Sequence, residues 1–189
     1  MVPGKEYKVN SVVYGGPMFS GKTTALVRRY DLLIREGTRV LLVKPLLDTR
    51  YDSHRVITHD GVSRPCAPIA DPREILRLLR DLDADVVMID EVSLFDAESI
   101  AKVLPSLRYN RVPFFASGFD LWHDGRINLA WAAAAGIADT TLRMVSRCVC
   151  GQTATHTFRK MPAEEDVDVG GDEKYEPRCY DCWSKGVKR

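Results

Sequence analysis

The stretch YGGPMFSGKTTALVRRY, residues 14–30, decides how the first half of the chain folds. Within it, Gly16, Gly21, Lys22 and Thr23 follow the spacing G-x-x-x-x-G-K-T. In this pattern backbone N–H groups converge on phosphate oxygens at the start of a helix. A short apolar run precedes the loop and a segment with helical periodicity follows it, as the pattern requires. The stretch therefore predicts a strand, a phosphate-binding loop and a helix in succession.

Periodicity and capping residues predict two helices. In the first, Gly37 stands where a C-terminal cap is expected. One apolar stripe of this helix comprises Leu26, Val27, Tyr30, Leu33 and Ile34. The second helix opens with Asp71-Pro72-Arg73-Glu74, which is typical of an N-cap carboxylate, a first-turn proline and the Glu of a capping box. Its predicted buried face comprises Ile75, Leu76, Leu78, Leu79 and Leu82.

Five short runs rich in Val, Ile and Leu predict buried strands, and several of them are separated by helical segments. They cover residues 11–16, 39–45, 84–91, 112–118 and 140–145. Alternation of helices with continuously apolar strands favours a parallel sheet covered on both faces. We therefore expect an α/β fold of the P-loop NTPase type over residues 1–145. A small C-terminal lobe over residues 146–189 follows, and its four cysteines predict zinc binding.

Composition excludes several function classes. The chain has 27 basic and 26 acidic residues, a net charge of +1. Proteins that bind nucleic acid or acidic membranes usually have an excess of basic residues, which this chain lacks. No apolar run approaches the roughly 18 residues of a membrane span. The first ten residues lack the apolar segment of a secretory signal. We expect a cytoplasmic protein, in which cysteines favour thiol or metal chemistry.

Four cysteines in the C-terminal part are spaced like metal ligands. They form the pairs Cys148-Val149-Cys150 and Cys179-Tyr180-Asp181-Cys182. Two such pairs predict a tetrahedral structural zinc site, although the first pair is one residue shorter than the usual C-x-x-C. His156 is the alternative ligand if this short pair fails to close the site. Cys66 stands alone and is interpreted as a small buried hydrophobe.

The run VVMIDE ends in two adjacent acids, Asp90 and Glu91. An acid at the end of an apolar strand is the usual partner of the phosphate-binding loop, where it serves the Mg²⁺. Because alternate side chains leave a strand in opposite directions, the second acid is available for another task. Glu91 is therefore either a general base or a solvated strand end.

Together these segments resemble the thymidine kinases of the zinc-containing type, from Val12 to about Trp183. The motifs that carry the resemblance are GPMFSGKT at 16–23, Asp48-Thr49-Arg50-Tyr51, Thr58-His59-Asp60-Gly61, Asp90-Glu91, and V-x-V-G-G-x-x-x-Y at 167–175 between the cysteine pairs. The resemblance implies transfer of a phosphoryl group from ATP to thymidine, which yields dTMP. It also implies Mg²⁺, a structural zinc ion and a homotetramer.

The resemblance implies roles position by position. Glu91 would be the general base for the 5′-hydroxyl, and Thr23 and Asp90 would hold Mg²⁺. The phosphate donor would be bound by Gly16, Pro17, Met18, Phe19, Ser20, Gly21, Lys22 and Thr23, with Asp48, Thr49, Arg50, Asp90 and Ser93 nearby. The nucleoside would contact Met18, His123, Thr157, Asp166, Val167, Asp168, Val169, Gly170 and Tyr175.

Residues 166–170 with Tyr175 match a loop of the family, the lasso, that folds over the base. Gly170-Gly171 and several acids make this loop unable to hold one shape by its own packing. Anchoring both of its ends through a metal would fix where it begins and ends. The resemblance thus assigns the zinc a structural role.

Three departures from the family pattern concern the base and the metal. Ser93 stands where the family has Gln after the acid pair, and His123 stands where it has a stacking Phe, with Trp122 beside it. Ile127-Asn128 replaces the Pro-Phe that follows. The third departure is the shortened first cysteine pair.

Three alternatives to a thymidine kinase remain, and the departures around the base motivate the first. The first is a related deoxynucleoside kinase that prefers deoxyuridine or a modified pyrimidine. The second is a zinc-containing ATPase that acts on nucleic acid, which the near-neutral charge disfavours. The third is an inactive paralogue that binds nucleotide as a regulator, which the presence of Lys22, Thr23, Asp90 and Glu91 disfavours.

Overall fold

The fold is described from a computed structural model, which covers residues 10–48, 52–161 and 170–186. Its helices are α1 (Lys22–Arg35), α2 (Glu74–Asp81), α3 (Ala97–Tyr109), α4 (Leu129–Ile137) and α5 (Tyr180–Gly186). Its strands are β1 (Val12–Gly15), β2 (Val40–Pro45), β3 (Arg55–Ile57), β4 (Ser63–Pro65), β5 (Ala67–Ile69), β6 (Val86–Ile89), β7 (Phe114–Ser117), β8 (Thr140–Arg143), β9 (Ser146–Arg147), β10 (Thr153–Ala154), β11 (His156–Arg159) and β12 (Tyr175–Arg178). Of these helices, none has the length and apolar character to cross a membrane.

Six strands form one sheet in the order β5-β2-β6-β7-β1-β8, and every pair in it is parallel. Apolar side chains cover both faces of this sheet. Residues of α2, α3 and α4 pack on one face, led by Ile75, Ile100, Leu104, Leu107 and Ala134. Residues of α1 and β3 pack on the other, namely Leu26, Val27, Leu33 and Val56. The predicted α/β fold is confirmed.

The predicted end of α1 is confirmed in detail. Gly37 has a φ of 78°, a left-handed conformation that glycine adopts without steric cost. Its N–H donates to Ile34 O at 3.0 Å, and the Thr38 N–H donates to Leu33 O at 2.9 Å. These two bonds form a Schellman motif. The predicted apolar stripe is wrong at Ile34, whose side chain is 45% exposed because it lies on the solvent side of the helix end.

The capping box before α2 is present, although the helix begins only at Glu74. Asp71 Oδ1 accepts from the Arg73 N–H at 2.8 Å, and Glu74 Oε1 accepts from the Asp71 N–H at 3.1 Å. The predicted buried face is wrong at Leu82, which lies beyond the last helical residue and is 58% exposed. Ile75 is the fully buried residue of this helix.

The strand predicted at 140–145 exists as β8, but it is not buried. All four of its residues are exposed, because β8 lies at the sheet edge and, among the described strands, pairs with β1 alone. The apolar run was therefore a poor guide to burial at this position. The sequence also failed to predict β3, β4 and β5, which have three residues each and are too short to carry a period.

Beyond β8 the described chain forms two short antiparallel hairpins, β9–β10 and β11–β12, and then α5. The predicted boundary near residue 146 falls in the connection from β8 to β9. Folding of the two parts as separate domains stays a prediction.

Two glycine substitutions test how backbone conformation limits stability. At both Gly37 and Gly136, an added Cβ would have no described neighbour within 4 Å, so steric contacts do not differ between them. Gly37→Ala should lower the free energy of unfolding by about 1 kcal/mol, because alanine is strained at positive φ. Gly136→Ala, within α4, should raise it by about 0.5 kcal/mol. Urea denaturation measures both, and equal effects would contradict this reasoning.

Candidate active site

The carboxyl ends of the parallel strands meet at one edge of the sheet, and the polar residues that follow them share a cleft there. β1 leads into the phosphate-binding loop, β2 into Asp48, β6 into Asp90 and Glu91, and β7 into Phe119. The cleft is lined by Met18, Phe19, Gly21, Lys22, Thr23, Thr24, Lys44, Asp48, Arg55, Val56, Ile57, His59, Asp90, Glu91, Phe119, Gly171 and Asp172. Ligands of open α/β sheets bind at this edge.

The phosphate-binding loop needs glycine at its first position. Gly16 has a φ of 137°, and a Cβ there would lie 2.2 Å from Met144 O, which no side chain can tolerate. Gly21 has a φ of 82° immediately before α1. The backbone N–H groups of the loop are thereby brought to the N-terminus of α1, where the helix dipole favours an anion.

Lys22, the first residue of α1, is held inside the loop. Its ammonium group donates to Pro17 O at 2.7 Å and lies 4.8 Å from the centre of the Phe119 ring. The side chain is nearly buried. A charged amine in this position is suited to donor phosphates, which it can reach by exchanging the carbonyl for a phosphate oxygen.

Thr23 and Asp90 come together although 67 residues separate them. The Thr23 hydroxyl donates to Asp90 Oδ1 at 3.1 Å, and the Ser117 hydroxyl donates to the same oxygen. Hydroxyl and carboxylate oxygens are the ligands that Mg²⁺ takes in proteins. Thr23 and Asp90, the two residues predicted to hold Mg²⁺, therefore carry oxygen ligands that suit the ion and lie close enough together to share it.

Glu91 lines the cleft from a strained backbone position. Its φ and ψ are 50° and 45°, in the left-handed region that residues with a side chain rarely adopt. Glu91 is only 5% exposed. Residues held in such conformations cluster at functional sites, because the surrounding structure must stabilise them. Burial and strain favour the general base over the solvated strand end.

Lys44 is a cleft residue that sequence reasoning missed. It is 2% exposed, and its ammonium group donates to Asp52 O at 2.8 Å and to Arg55 O at 3.3 Å. The same nitrogen lies 3.6 Å from Asp48 Oδ2. Lys44 thus joins the two ends of the connection between β2 and β3. The signal was available, since Lys44 is the single charged residue within the apolar run 40–45.

Phe119 is a second cleft residue that was not predicted. It directly follows Gly118, after the end of β7, and its ring contacts the Lys22 ammonium group.

Ser93, predicted beside the donor phosphates, does not line the cleft. It is buried behind it, where its carbonyl oxygen accepts from Asn128 Nδ2 at 2.9 Å.

Four of the predicted nucleoside residues, Met18, His123, Thr157 and Tyr175, lie where β11 and β12 approach the loop. The Met18 N–H donates to Thr157 Oγ1 at 3.0 Å, and both residues are buried. The rings of His123 and Tyr175 are nearly parallel, with centres 6.4 Å apart. His123 does not line the cleft; it lies next to it, against β12.

Burial, aided by the neighbouring Arg159, lowers the pKa of the His123 imidazole. Its Nε2 is 3.1 Å from an Arg159 nitrogen, and a guanidinium can only donate, so Nε2 accepts. His123 is therefore neutral in this arrangement.

Several predicted residues lie outside the described part of the chain. They are Thr49, Arg50, Asp166, Val167, Asp168 and Val169. Gly170 is the first described residue after this gap, and the next two residues, Gly171 and Asp172, line the cleft.

The four cysteines predicted to bind zinc form one cluster. Their Sγ atoms all lie within 4.8 Å of one another, a group of donors that could hold a metal ion. Cys148 and Cys150 lie in the turn between β9 and β10, which is closed by the Cys148 N–H donating to Gln152 O at 2.9 Å. The short C-x-C spacing therefore still brings both sulfurs to the cluster. His156 is not part of it; its ring stacks on Trp183 instead.

Backbone N–H groups favour a thiolate at one of these cysteines. The N–H groups of Cys150 and Cys179 lower the pKa of the Cys148 thiol to about 6. The neighbouring thiols raise the pKa of Cys182 to about 12. Without a cation, one thiol of the cluster loses its proton readily while another retains it. A bound divalent cation would favour the thiolate at every cysteine, because coordinated thiols lose their protons.

Comparison with known proteins gives one consistent result. A family model described as thymidine kinase matches residues 10–183. A thymidine kinase of Pyrobaculum aerophilum is 35% identical, over 89% of this chain and 95% of that protein. A thymidine kinase of Coprothermobacter proteolyticus is 38% identical, over 88% and 86%. A thymidine kinase of Bacteroides fragilis is 34% identical, over 92% and 86%.

The contacts of Lys44 predict its contribution to stability. Lys44→Met keeps the length of the side chain but removes the donor to two backbone carbonyls and the charge beside Asp48. We expect the free energy of unfolding to fall by about 2–5 kcal/mol, as measured by urea denaturation. The control is Lys102→Met on α3, whose ion pair with Glu98 is exposed and should contribute less than about 0.5 kcal/mol. Similar losses for both variants would show that burial of Lys44 carries no special stabilisation.

Proposed function

The chain belongs to the thymidine kinase family, and we propose that it phosphorylates thymidine with ATP through Glu91 as the general base. The observation that carries this proposal is the presence of Glu91 in one cleft with the phosphate-binding loop and the Thr23–Asp90 pair. The relatives from Pyrobaculum, Coprothermobacter and Bacteroides are all named thymidine kinase and give no support to a nucleic-acid ATPase or to a kinase with another base preference.

We assign the donor phosphates to the loop at residues 16–23. Its N–H groups and the Lys22 ammonium group would bind the phosphate oxygens and neutralise charge that develops during transfer. Thr23 and Asp90 would hold Mg²⁺, which supplies further charge neutralisation when it is bound with ATP. Holding both substrates in line supplies much of the remaining rate enhancement.

Glu91 would take the proton of the nucleoside's 5′-hydroxyl while that oxygen attacks the γ-phosphorus. The bond from the γ-phosphorus to the bridging oxygen of ATP breaks, so the products are dTMP, ADP and a proton. A general base must be held firmly within reach of this hydroxyl. The burial of Glu91, its left-handed backbone conformation and its position at the start of the Val92–Leu94 turn support that role.

We assign the nucleoside to the side of the cleft where β11 and β12 meet the loop. The Met18–Thr157 hydrogen bond supports this assignment, because it joins a donor-side residue to the C-terminal lobe. Tyr175 and Gly170 would contribute from β12 and the segment before it. The remaining lasso residues, 166–169, and a role for Arg50 stay predictions, as do the homotetramer and the cytoplasmic location.

The four-cysteine cluster would hold a structural zinc ion. Tetrahedral coordination by four cysteine sulfurs is the usual form of such sites. No member of the cluster lines the cleft. Its role would be to fold the lobe that carries β11, β12 and α5.

The role of Glu91 is tested by Glu91→Gln, which keeps the size of the side chain and removes its basicity. We expect kcat to fall by roughly 100- to 10,000-fold, with the dissociation constant for ATP changed by less than about twofold. Steady-state kinetics and calorimetry measure these quantities. Glu98→Gln, on the exposed face of α3, is the matched control and should retain activity. Near wild-type turnover by Glu91→Gln would remove the assignment.

Metal content is tested by elemental analysis of the purified protein. We expect about one zinc ion per chain, and its loss in Cys148→Ser together with unfolding of the lobe. Cys66→Ser is the control, because Cys66 lies outside the cluster and should leave the zinc content unchanged. A zinc-free wild-type protein with an intact lobe would contradict the proposal.

A further inference from the structure

Trp183 contacts both the four-cysteine cluster and a hairpin at residues 121–127, and the proposed mechanism gives it no role. It follows Cys182 in α5, and its backbone N–H donates to Cys179 O at 2.9 Å. Two of the four cluster cysteines therefore fix the backbone from which the indole projects. Any metal bound there would fix it further.

The indole is held between β11 and a short hairpin of residues 121–127. Its Nε1–H donates to His123 O at 2.8 Å. A Cβ on Gly125 would lie 2.8 Å from the indole, so the hairpin backbone rests directly on the ring. The His156 ring also stacks on the indole, at 4.6 Å between centres and an angle of 29°.

Few backbone hydrogen bonds hold the 121–127 hairpin, whose base is closed by the Asn128 N–H donating to Asp120 O at 3.0 Å. A single bridge pairs Leu121 with Ile127, the Trp122 N–H donates to Arg126 O at 2.9 Å, and the Gly125 N–H donates to Trp122 O at 3.0 Å. Such a short hairpin is not stable by itself. Its tip therefore depends on the lobe against which it packs.

His123 is the link from this hairpin to the nucleoside side of the site. Its carbonyl oxygen faces the indole, while its ring faces Tyr175 and Arg159. Beyond the hairpin, Asn128 Nδ2 donates to Ser93 O, in the turn that follows Glu91. If the hairpin moved, the His123 ring would therefore move with it, away from its place beside Tyr175.

We propose that Trp183 is a positioning residue through which the metal-binding lobe holds the 121–127 hairpin, and thereby the nucleoside-binding side of the cleft. This inference rests on the proposed function in one respect, the assignment of Tyr175 to the nucleoside. The described partners of the indole are His123, Gly125, His156 and Tyr180, and none of them belongs to the loop at residues 16–23. Loss of the Trp183 bond should thus weaken thymidine binding and spare ATP binding.

The experiment uses Trp183→Phe in the zinc-loaded full chain. Phenylalanine keeps an aromatic ring against His156 and removes the N–H that serves His123 O. We expect the KM for thymidine to rise by about five- to tenfold, the effect of losing one partly buried hydrogen bond. The KM for ATP, kcat and zinc content should change by less than about twofold. The control is Tyr180→Phe in the same helix, which keeps its ring and is 58% exposed in the parent.

Hydrogen exchange supplies a readout that does not need activity. The amides of Trp122 and Gly125 should exchange faster in Trp183→Phe, while those of β6 keep their protection. If wild-type protein failed to phosphorylate thymidine, the proposed function would fall, and these exchange rates would still decide the role of Trp183.

Two results would overturn the inference. One is an unchanged thymidine KM with unchanged exchange at the hairpin; the other is an equal rise of both KM values, which indicates general loosening. Should Trp183→Phe not fold, Gly125→Ala perturbs the same contact from the hairpin side. Its added Cβ would lie 2.8 Å from the indole, and alanine is also strained at the Gly125 φ of 87°, so both effects displace the hairpin from the indole and the same selective rise in thymidine KM is expected.

Discussion

The carboxylate of Asp90 joins three segments that are distant in sequence. Asp90 follows β6, accepts a hydrogen bond from Thr23 at the start of α1, and accepts another from Ser117 at the end of β7. Because all three segments meet at the same edge of a parallel sheet, this contact sets where the phosphate-binding loop lies relative to Glu91. The geometry for phosphoryl transfer therefore follows from strand order and from one buried acid.

Sequence reasoning predicted the parts of the fold that repeat a period or a spacing. The strand, loop and helix around residues 14–30, the glycine cap at Gly37 and the cysteine cluster all follow from local rules, and the structure has them. Local rules failed where the exposure of a side chain depends on which other element packs against it. The strand predicted as buried at 140–145 is β8, with the sequence Thr-Thr-Leu-Arg, and it lies exposed at the sheet edge. Ile34 and Leu82 lie at helix ends and are exposed as well.

The site was predicted less completely, for a related reason. Motifs identify residues that follow strands, such as Asp90 and Glu91. The charge of Lys44 within an apolar run marked that residue as unusual, but it did not show which backbone segments the side chain contacts. Lys44 contacts two carbonyl oxygens that lie 8 and 11 residues further along the chain. Trp183 likewise donates to a carbonyl 60 residues away. Such contacts depend on where loops pass in space, and neither composition nor spacing determines that.

The position of β1 between β7 and β8 has a consequence for synthesis of the chain. β1 leaves the ribosome before both of its partners and cannot complete its pairing until residues 114–117 and 140–143 have followed it. The Met18–Thr157 bond adds a contact across 139 residues. Contacts of such long range slow folding, since the chain must close large loops before they form. A nascent chain thus contains its phosphate-binding loop long before the strands that hold β1 in the sheet have been made.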